Sequence, residues 1–118
     1  MKQTEEKIYA GVYKITCTSN NKFYIGRSDN LKSRLQHHFN SLKRNDHKIR
    51  DLQNDYNLYG LESFTIKIIK ATENHKMLEA NLIAKYFDNG KLCYNSIQEY
   101  RIVKNILKAN ILKRYNLN

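Results

Sequence analysis

The chain has no proline, no tryptophan, four glycines and two cysteines in 118 residues. Without proline, and with glycine this scarce, nothing marks a flexible linker between separately folding parts. A chain of this length supports one hydrophobic core, so one domain with one active site is expected. Cys17 and Cys93 form no CxxC-type pair, and both are read as reduced structural thiols. No apolar run approaches the roughly 18 residues a membrane-spanning helix needs, and the opening MKQTEEK lacks the apolar stretch of a secretion signal. The expected location is therefore the cytoplasm.

Acidic residues are also in short supply. Eleven Asp and Glu face twenty-one Lys and Arg, a formal charge of +10. Such an excess on a small surface attracts polyanions, so nucleic acid is the leading partner. No strongly basic amphipathic segment carries Trp or Phe anchors, and a membrane surface ranks well below. What the chain does have is a hydrophobic share of 41%, enough to fold rather than remain a disordered tail.

The first structural signal is a hairpin, in which IYAGVYKITC and FYIG flank the turn-rich TSNNK. A turn over Thr18 to Asn21 sets Cys17 opposite Lys22 and makes Tyr13 and Tyr24 diagonal neighbours on one face. Ser28 or Asp29 then caps a helix carrying Leu31, Leu35, Phe39 and Leu42, with Arg34 and His38 four positions apart along one edge of that apolar stripe. Asp46 is read as the cap of a second helix, with Ile49, Leu52, Tyr56 and Tyr59 inward and Gly60 at its end. A strand over Phe64 to Ile69 is expected to pair with the hairpin. A third helix, from about Glu73 to Phe87 with Thr72 or Asn74 as its cap, is apolar around most of its circumference and so largely buried. From Gln98 onward the chain is basic, helical in pattern and without one clean face. The fold class expected is α/β (α+β), a mainly antiparallel three-stranded sheet flanked by helices. Residues 8–97 form the principal domain and 98–118 a basic helical extension.

Glu79 is the anomaly of the sequence. An ionised carboxylate on an apolar helix face is costly to bury unless it is paired, protonated or bound to a metal. A salt bridge to one of the many cations is the plain alternative. A single carboxylate on a rigid helix also suits magnesium, which keeps most of its waters and takes further oxygens from a phosphate. With nine tyrosines in the chain, no one of them is informative alone. Arg34 with His38 equally describes a solvated basic edge, although an arginine can grip a phosphate bidentately and a histidine can move a proton.

The spacing of these pieces is more specific than any one of them. Gly11-Val12-Tyr13, Tyr24-Ile25-Gly26, the stretch from Arg27 through Arg34 to His38 and Phe39, Leu78-Glu79-Ala80-Asn81-Leu82-Ile83 and Tyr94-Asn95 occur in the order found in the GIY-YIG nucleases, and the chain resembles that family over about residues 8 to 97. The wording from Tyr24 to Phe39 is most similar to phage and intron homing-type members, whereas the Glu79 helix resembles that of the bacterial excision-repair incision nuclease domain. The resemblance implies a DNA endonuclease that hydrolyses phosphodiesters by a one-metal mechanism with magnesium or manganese. By the same resemblance Tyr13, Tyr24, Arg34, His38 and Glu79 are catalytic, with Glu79 as the metal ligand and Tyr24 favoured as the proton acceptor. Arg27, Arg34 and His47 are candidate nucleic-acid contacts, and Gly26 and Asn95 support the site. DNA, taken as double-stranded, is the implied partner of a monomer or transient dimer, in the host cytoplasm if the gene is a phage's. A structure-specific repair nuclease and an inactive nucleic-acid-binding domain of the same family are the alternatives.

Overall fold

The computed structural model describes residues 9–91 and 93–114. The expected domain start at residue 8 and the end of the expected extension, 115–118, lie outside these residues. Two strands, β1 (Gly11–Cys17) and β2 (Phe23–Ser28), form the hairpin, with Cys17 N–H bonded to Lys22 O at 2.8 Å across the turn. Tyr13 lies opposite Gly26 and Ile15 opposite Tyr24, which is the register expected from a turn over Thr18 to Asn21. Helices α1 (Leu31–Lys43) and α2 (Arg50–Tyr59) follow. A single 3-10 turn, Leu61–Ser63, leads into β3 (Phe64–Ala71), and α3 (His75–Asp88) and α4 (Ile97–Arg114) complete the chain.

The strands form one antiparallel sheet in the order β2-β1-β3. β1 is central: Tyr13, Ile15 and Cys17 are fully buried on one face, while on the other Val12 is buried and Lys14 and Thr16 are half-buried, so the strand alternates apolar and polar from Tyr13 onward. Tyr13, Ile15 and Cys17 point to the face covered by α1 and α2, where they meet Tyr24, Leu31, Leu42 and Leu52. Val12, Phe23 and Ile25 point to the other face and pack on Ala80, Ile83 and Ala84 of α3 and Val103 of α4. The small alanines of α3 let that helix approach the sheet closely. Burying the larger of these side chains contributes about 1.5–3 kcal/mol each. The register between β1 and β3 slips between Val12 and Tyr13, so that Ile69 is the extra residue of a bulge.

Several local expectations are corrected. The cap of α1 is Asn30, whose side chain accepts from Ser33 N–H, while the Ser28 hydroxyl bonds instead to the Asn30 backbone. Asp46 does not cap α2: it pairs with Arg44 at 3.3 Å, and the helix starts later, behind Ile49, with no side-chain cap. Tyr59, expected inward, is 38% exposed at the last position of α2. The third helix begins at His75, after Thr72 Oγ1 accepts from Asn74 N–H, and its burial is confined to one face. Gly60 does end α2, at φ 87°, a left-handed conformation that glycine adopts without strain. The face of α4 that the sequence left open is set by Tyr100, Val103 and Leu107, which join the α3 cluster. Both cysteines are free. Among the described residues no helix is long and apolar enough to cross a membrane.

Candidate active site

The hairpin brings the two motif tyrosines together, with ring centroids 6.2 Å apart. Gly26, directly opposite Tyr13, explains why a glycine belongs there: a Cβ would overlap the Tyr13 phenol ring and its hydroxyl. Gly11 is held to its type in the same way, by the Lys70 carbonyl on β3 and the Leu31 side chain.

His38, on α1 and 2% exposed, completes this group. Tyr13 Oη lies 2.6 Å from His38 Nε2, and His38 Nδ1 lies 2.8 Å from His47 Nε2. The far end of the chain fixes its direction. His47 Nδ1 accepts from the Ile49 backbone N–H at 3.0 Å, so a neutral His47 carries its proton on Nε2 and donates to His38 Nδ1. A neutral His38 then carries its proton on Nε2 and donates to the oxygen of Tyr13. Both rings are held neutral, since burial lowers each: His38 falls to about 3, and His47 is lowered with help from the Arg34 charge. His47, a residue of the connection between α1 and α2, is thus part of the buried network, anchored further by the bond from its own N–H to Gln53 Oε1.

Burial pushes the Tyr13 phenol up to about 12, against which the Arg34 guanidinium pulls it back. Tyr24 is raised as well, by burial first and then by the neighbouring Tyr13, Glu99 and Glu79. Arg34 is exposed and lines a cleft of about 390 Å³ with Tyr24, His37, His38, His47 and Glu99. Asn95 closes the outer edge of β2: its Oδ1 accepts from Ile25 N–H at 2.9 Å and its Nδ2 donates to Ile25 O at 2.8 Å, as a neighbouring strand would. The preceding Tyr94 hydroxyl donates to Asp55 of α2 at 2.5 Å, tying this segment across to the opposite layer.

Glu79 projects from α3 toward β2. Its side chain is 14% exposed, and Oε1 accepts from Arg27 Nε at 3.1 Å. Desolvation raises its pKa, the Arg27 charge lowers it, and the Glu99 charge raises it again. Arg27 also donates to His75 Nδ1 at 3.4 Å, and His75 Nε2 therefore donates to Asp29 Oδ1 at 2.8 Å. Both sequence readings of Glu79 survive in this arrangement, since it is salt-bridged through one oxygen while no hydrogen bond reaches the other among the described residues. Within those residues no group of three or more His, Cys, Asp and Glu converges as a cage. The donor set is oxygen from one helix-borne carboxylate, which fits magnesium or manganese completed by water and phosphate, not a zinc-type site of imidazoles and thiolates. His75 and Glu99 were not singled out by sequence, and Asp29 only as a possible cap of α1. Of the first two only Glu99 left a trace there, in the Ser96-x-x-Glu99 spacing of a capping box.

A three-stranded antiparallel sheet carries Tyr13 and Tyr24 on its hairpin, with Arg34 and His38 on α1 and Glu79 of α3 against Arg27 of β2. This is the frame of a nuclease-type catalytic domain, and residues 9–92 match the model of the GIY-YIG catalytic domain. The chain belongs to the GIY-YIG family. It is 35% identical over 79 residues to UvrABC system protein C of Borrelia duttonii, covering 65% of this chain and 12% of that protein. It is 35% identical over 51 residues to intron-associated endonuclease 1 of Enterobacteria phage T4, covering 43% of this chain and 21% of that one. The chain therefore spans only about an eighth to a fifth of the curated relatives it matches. Among solved structures it resembles the catalytic domain of homing endonuclease I-TevI, with a TM-score of 0.62 and 25% identity over 74% of this chain and 99% of that one. A mutant of the same catalytic domain superposes with a TM-score of 0.57 at 28% identity, over 68% of this chain and 81% of that one.

Proposed function

We propose that the protein is a divalent-metal-dependent DNA endonuclease that hydrolyses phosphodiesters, with homing-type nucleases of phages and mobile elements as its nearest functional kind. The observation that carries this reading is the directed Tyr13–His38–His47 chain beside Arg34, with the Glu79 carboxylate at the same strand. A basic chain of +10 supplies the long-range attraction for a DNA backbone.

In this reading Arg34 and Arg27 grip the phosphate through their exposed guanidinium groups. What favours Tyr13 over Tyr24 as proton acceptor is that its oxygen receives the His38 N–H and faces Arg34, both of which stabilise a phenolate. The phenolate of Tyr13 takes a proton from water, the new hydroxide attacks phosphorus, and the phosphorus–oxygen bond to the leaving sugar breaks. Tyr24 packs beside Tyr13 and shapes the cleft. Asn95 and Gly26 hold β2 so that the two phenols keep their relation. Glu79 would hold the magnesium or manganese ion, which would supply positive charge to offset that developing on the phosphate and the departing oxygen.

A repair-type nuclease that reads DNA structure is the second reading, favoured by the longer match to the UvrABC protein. Double-stranded DNA, a monomer or transient dimer, and a cytoplasmic location complete the proposal. The deciding experiment is a nicking assay with manganese on supercoiled, branched and linear DNA. Nicking that Glu79→Gln abolishes, with DNA binding retained, is expected. Equal cutting by Glu79→Gln would overturn the metal assignment, and binding without cutting by the parent protein would leave a DNA-binding domain. Preference for branched over linear DNA would favour the repair-type reading.

A further inference from the structure

The sides of the cleft beside Tyr24 differ in charge. α1 and its C-cap supply Arg34, His37, Ser41 and Arg44, positions that recur every three or four residues and so stand in a line along one helix face. Lys48, in the connection to α2, continues that line. The stacked rings of His38 and His47, 5.0 Å apart, are the buried groups between them. Glu99 comes instead from α4 and is held on the β2 side, where Asn95 Nδ2 donates to it at 3.1 Å.

One arginine is enough for the phosphate that is cut, yet the line of cations runs on. Arg44 stands ten positions after Arg34, about 15 Å along the helix axis, so the two guanidinium groups meet different phosphates. A DNA strand carries one charge about every 3.4 Å of duplex, and a backbone lying along α1 passes both. The salt bridge of Arg44 to Asp46, at 3.3 Å, has both side chains more than half exposed, and a pair so well solvated is weak enough to yield to a phosphate. Lys48 makes no ion pair or side-chain hydrogen bond among the described residues. Beyond it the adjoining groove sets Lys48 and Arg50 against Asp51 and Glu99, and the net attraction ends there.

We infer that Arg44 and Lys48 form a second phosphate subsite, which holds the DNA strand along α1 while Arg34 engages the phosphate to be cut. Glu99 repels the backbone from the β2 side, so the strand is confined to the α1 side of the cleft. Neither Arg44 nor Lys48 lies within the motifs shared with the GIY-YIG family. The inference rests on the DNA-endonuclease reading given above.

The test is fluorescence anisotropy of the whole protein with a labelled duplex of about 20 base pairs, in EDTA to prevent cutting, over sodium chloride from about 50 to about 300 mM. Each lost phosphate contact lowers the slope of log affinity against log salt by about 0.9, so Arg44→Gln combined with Lys48→Gln should lower it by about two. Lys67→Gln with Lys70→Gln removes the same charge from β3, at the far edge of the sheet from β2, and should leave the slope unchanged. Asp46→Asn releases Arg44 and should tighten binding by about threefold. Should the Arg44 and Lys48 double variant melt below the parent, Lys48→Gln alone decides, with a slope lowered by about one. An unchanged slope overturns the inference, as does an equal drop in the β3 variant, which would mean that only total charge is felt. Binding by Asp46→Asn no tighter than the parent removes Arg44 from the subsite. If the parent shows no salt-dependent affinity for the duplex, the DNA reading itself fails. If Arg34→Gln lowers the slope and the Arg44 and Lys48 variants do not, only the second subsite falls.

Discussion

The hydroxyl of Tyr13 lies 2.6 Å from Nε2 of His38, although the two residues stand 25 positions apart and on different elements. The strand supplies the phenol, the helix supplies the imidazole, and His47 behind it fixes which atom carries the proton. A histidine at the edge of a basic helix thereby becomes a buried donor to one particular oxygen.

This direction of donation sets the expected pH dependence of cleavage. With Tyr13 held at about 12, its phenolate is a small fraction at neutral pH and grows tenfold per unit. The cleavage rate should rise with a slope near one in a plot of log rate against pH between about 7 and 9. Tyr13→Phe should lower the rate by about a hundredfold or more and remove the slope. A flat profile in the parent protein would reassign the proton acceptor.

The same chain makes stability fall in acid. His38 and His47 have folded pKa values below the unfolded value, so the unfolded state binds more protons as pH drops; their contribution is present above about 6.5 and lost as pH falls, for His38 down to about 3. Each neutral buried histidine should cost on the order of 1 kcal/mol per pH unit below 6.5. Melting temperatures measured from pH 7 to pH 5 should fall less steeply for His38→Gln than for the parent.

Gly26 should tolerate no side chain. Gly26→Ala drives a methyl into the Tyr13 ring and hydroxyl, a strain of about 1–3 kcal/mol in a packed core, and should displace the phenol from His38. Gly90 is the contrast, since a Cβ there meets nothing within 4 Å and only its φ of 67° opposes alanine. Thermal melting should show the larger loss for Gly26→Ala, accompanied by loss of cleavage.

Asn95 should matter through its amide. Asn95→Asp removes the donor to Ile25 O and to Glu99 and sets two carboxylates side by side. Leaving the buried Ile25 carbonyl unpaired costs about 1–3 kcal/mol, so a marked drop in denaturation midpoint is expected, with Asn95→Ser intermediate.

Arg27 separates the two duties available to it. If it touches DNA as well as Glu79, Arg27→Gln should weaken DNA binding across all sequences and reduce the slope of log affinity against log salt by about one. An unchanged slope would confine Arg27 to Glu79 and His75, its partners at 3.1 and 3.4 Å.

The hairpin register was legible in the sequence once the turn was placed over Thr18 to Asn21, since Cys17 then faces Lys22, and that pairing sets the diagonal of Tyr13 and Tyr24. It also showed Glu79 as out of place, since the energetics of a carboxylate among Leu82, Ile83 and Tyr86 are local to one helix. Caps were read less well. Asn30, Ser28 and Asp29 all offer a side-chain acceptor, and only the approach angle of the chain from β2 selects Asn30.

Tertiary structure alone decided what lies beyond one element's reach. Whether Glu79 meets Arg27, whether His47 backs His38 and whether Glu99 faces the cleft all depend on how α3, the α1–α2 connection and α4 dock on the sheet. Local periodicity records which face of a helix is buried, but not which residue of another element stands opposite. The charge balance, the tyrosine pair and the lone carboxylate were therefore properties of the sequence, whereas the direction of the proton chain and the pairing of Glu79 with Arg27 came only with packing.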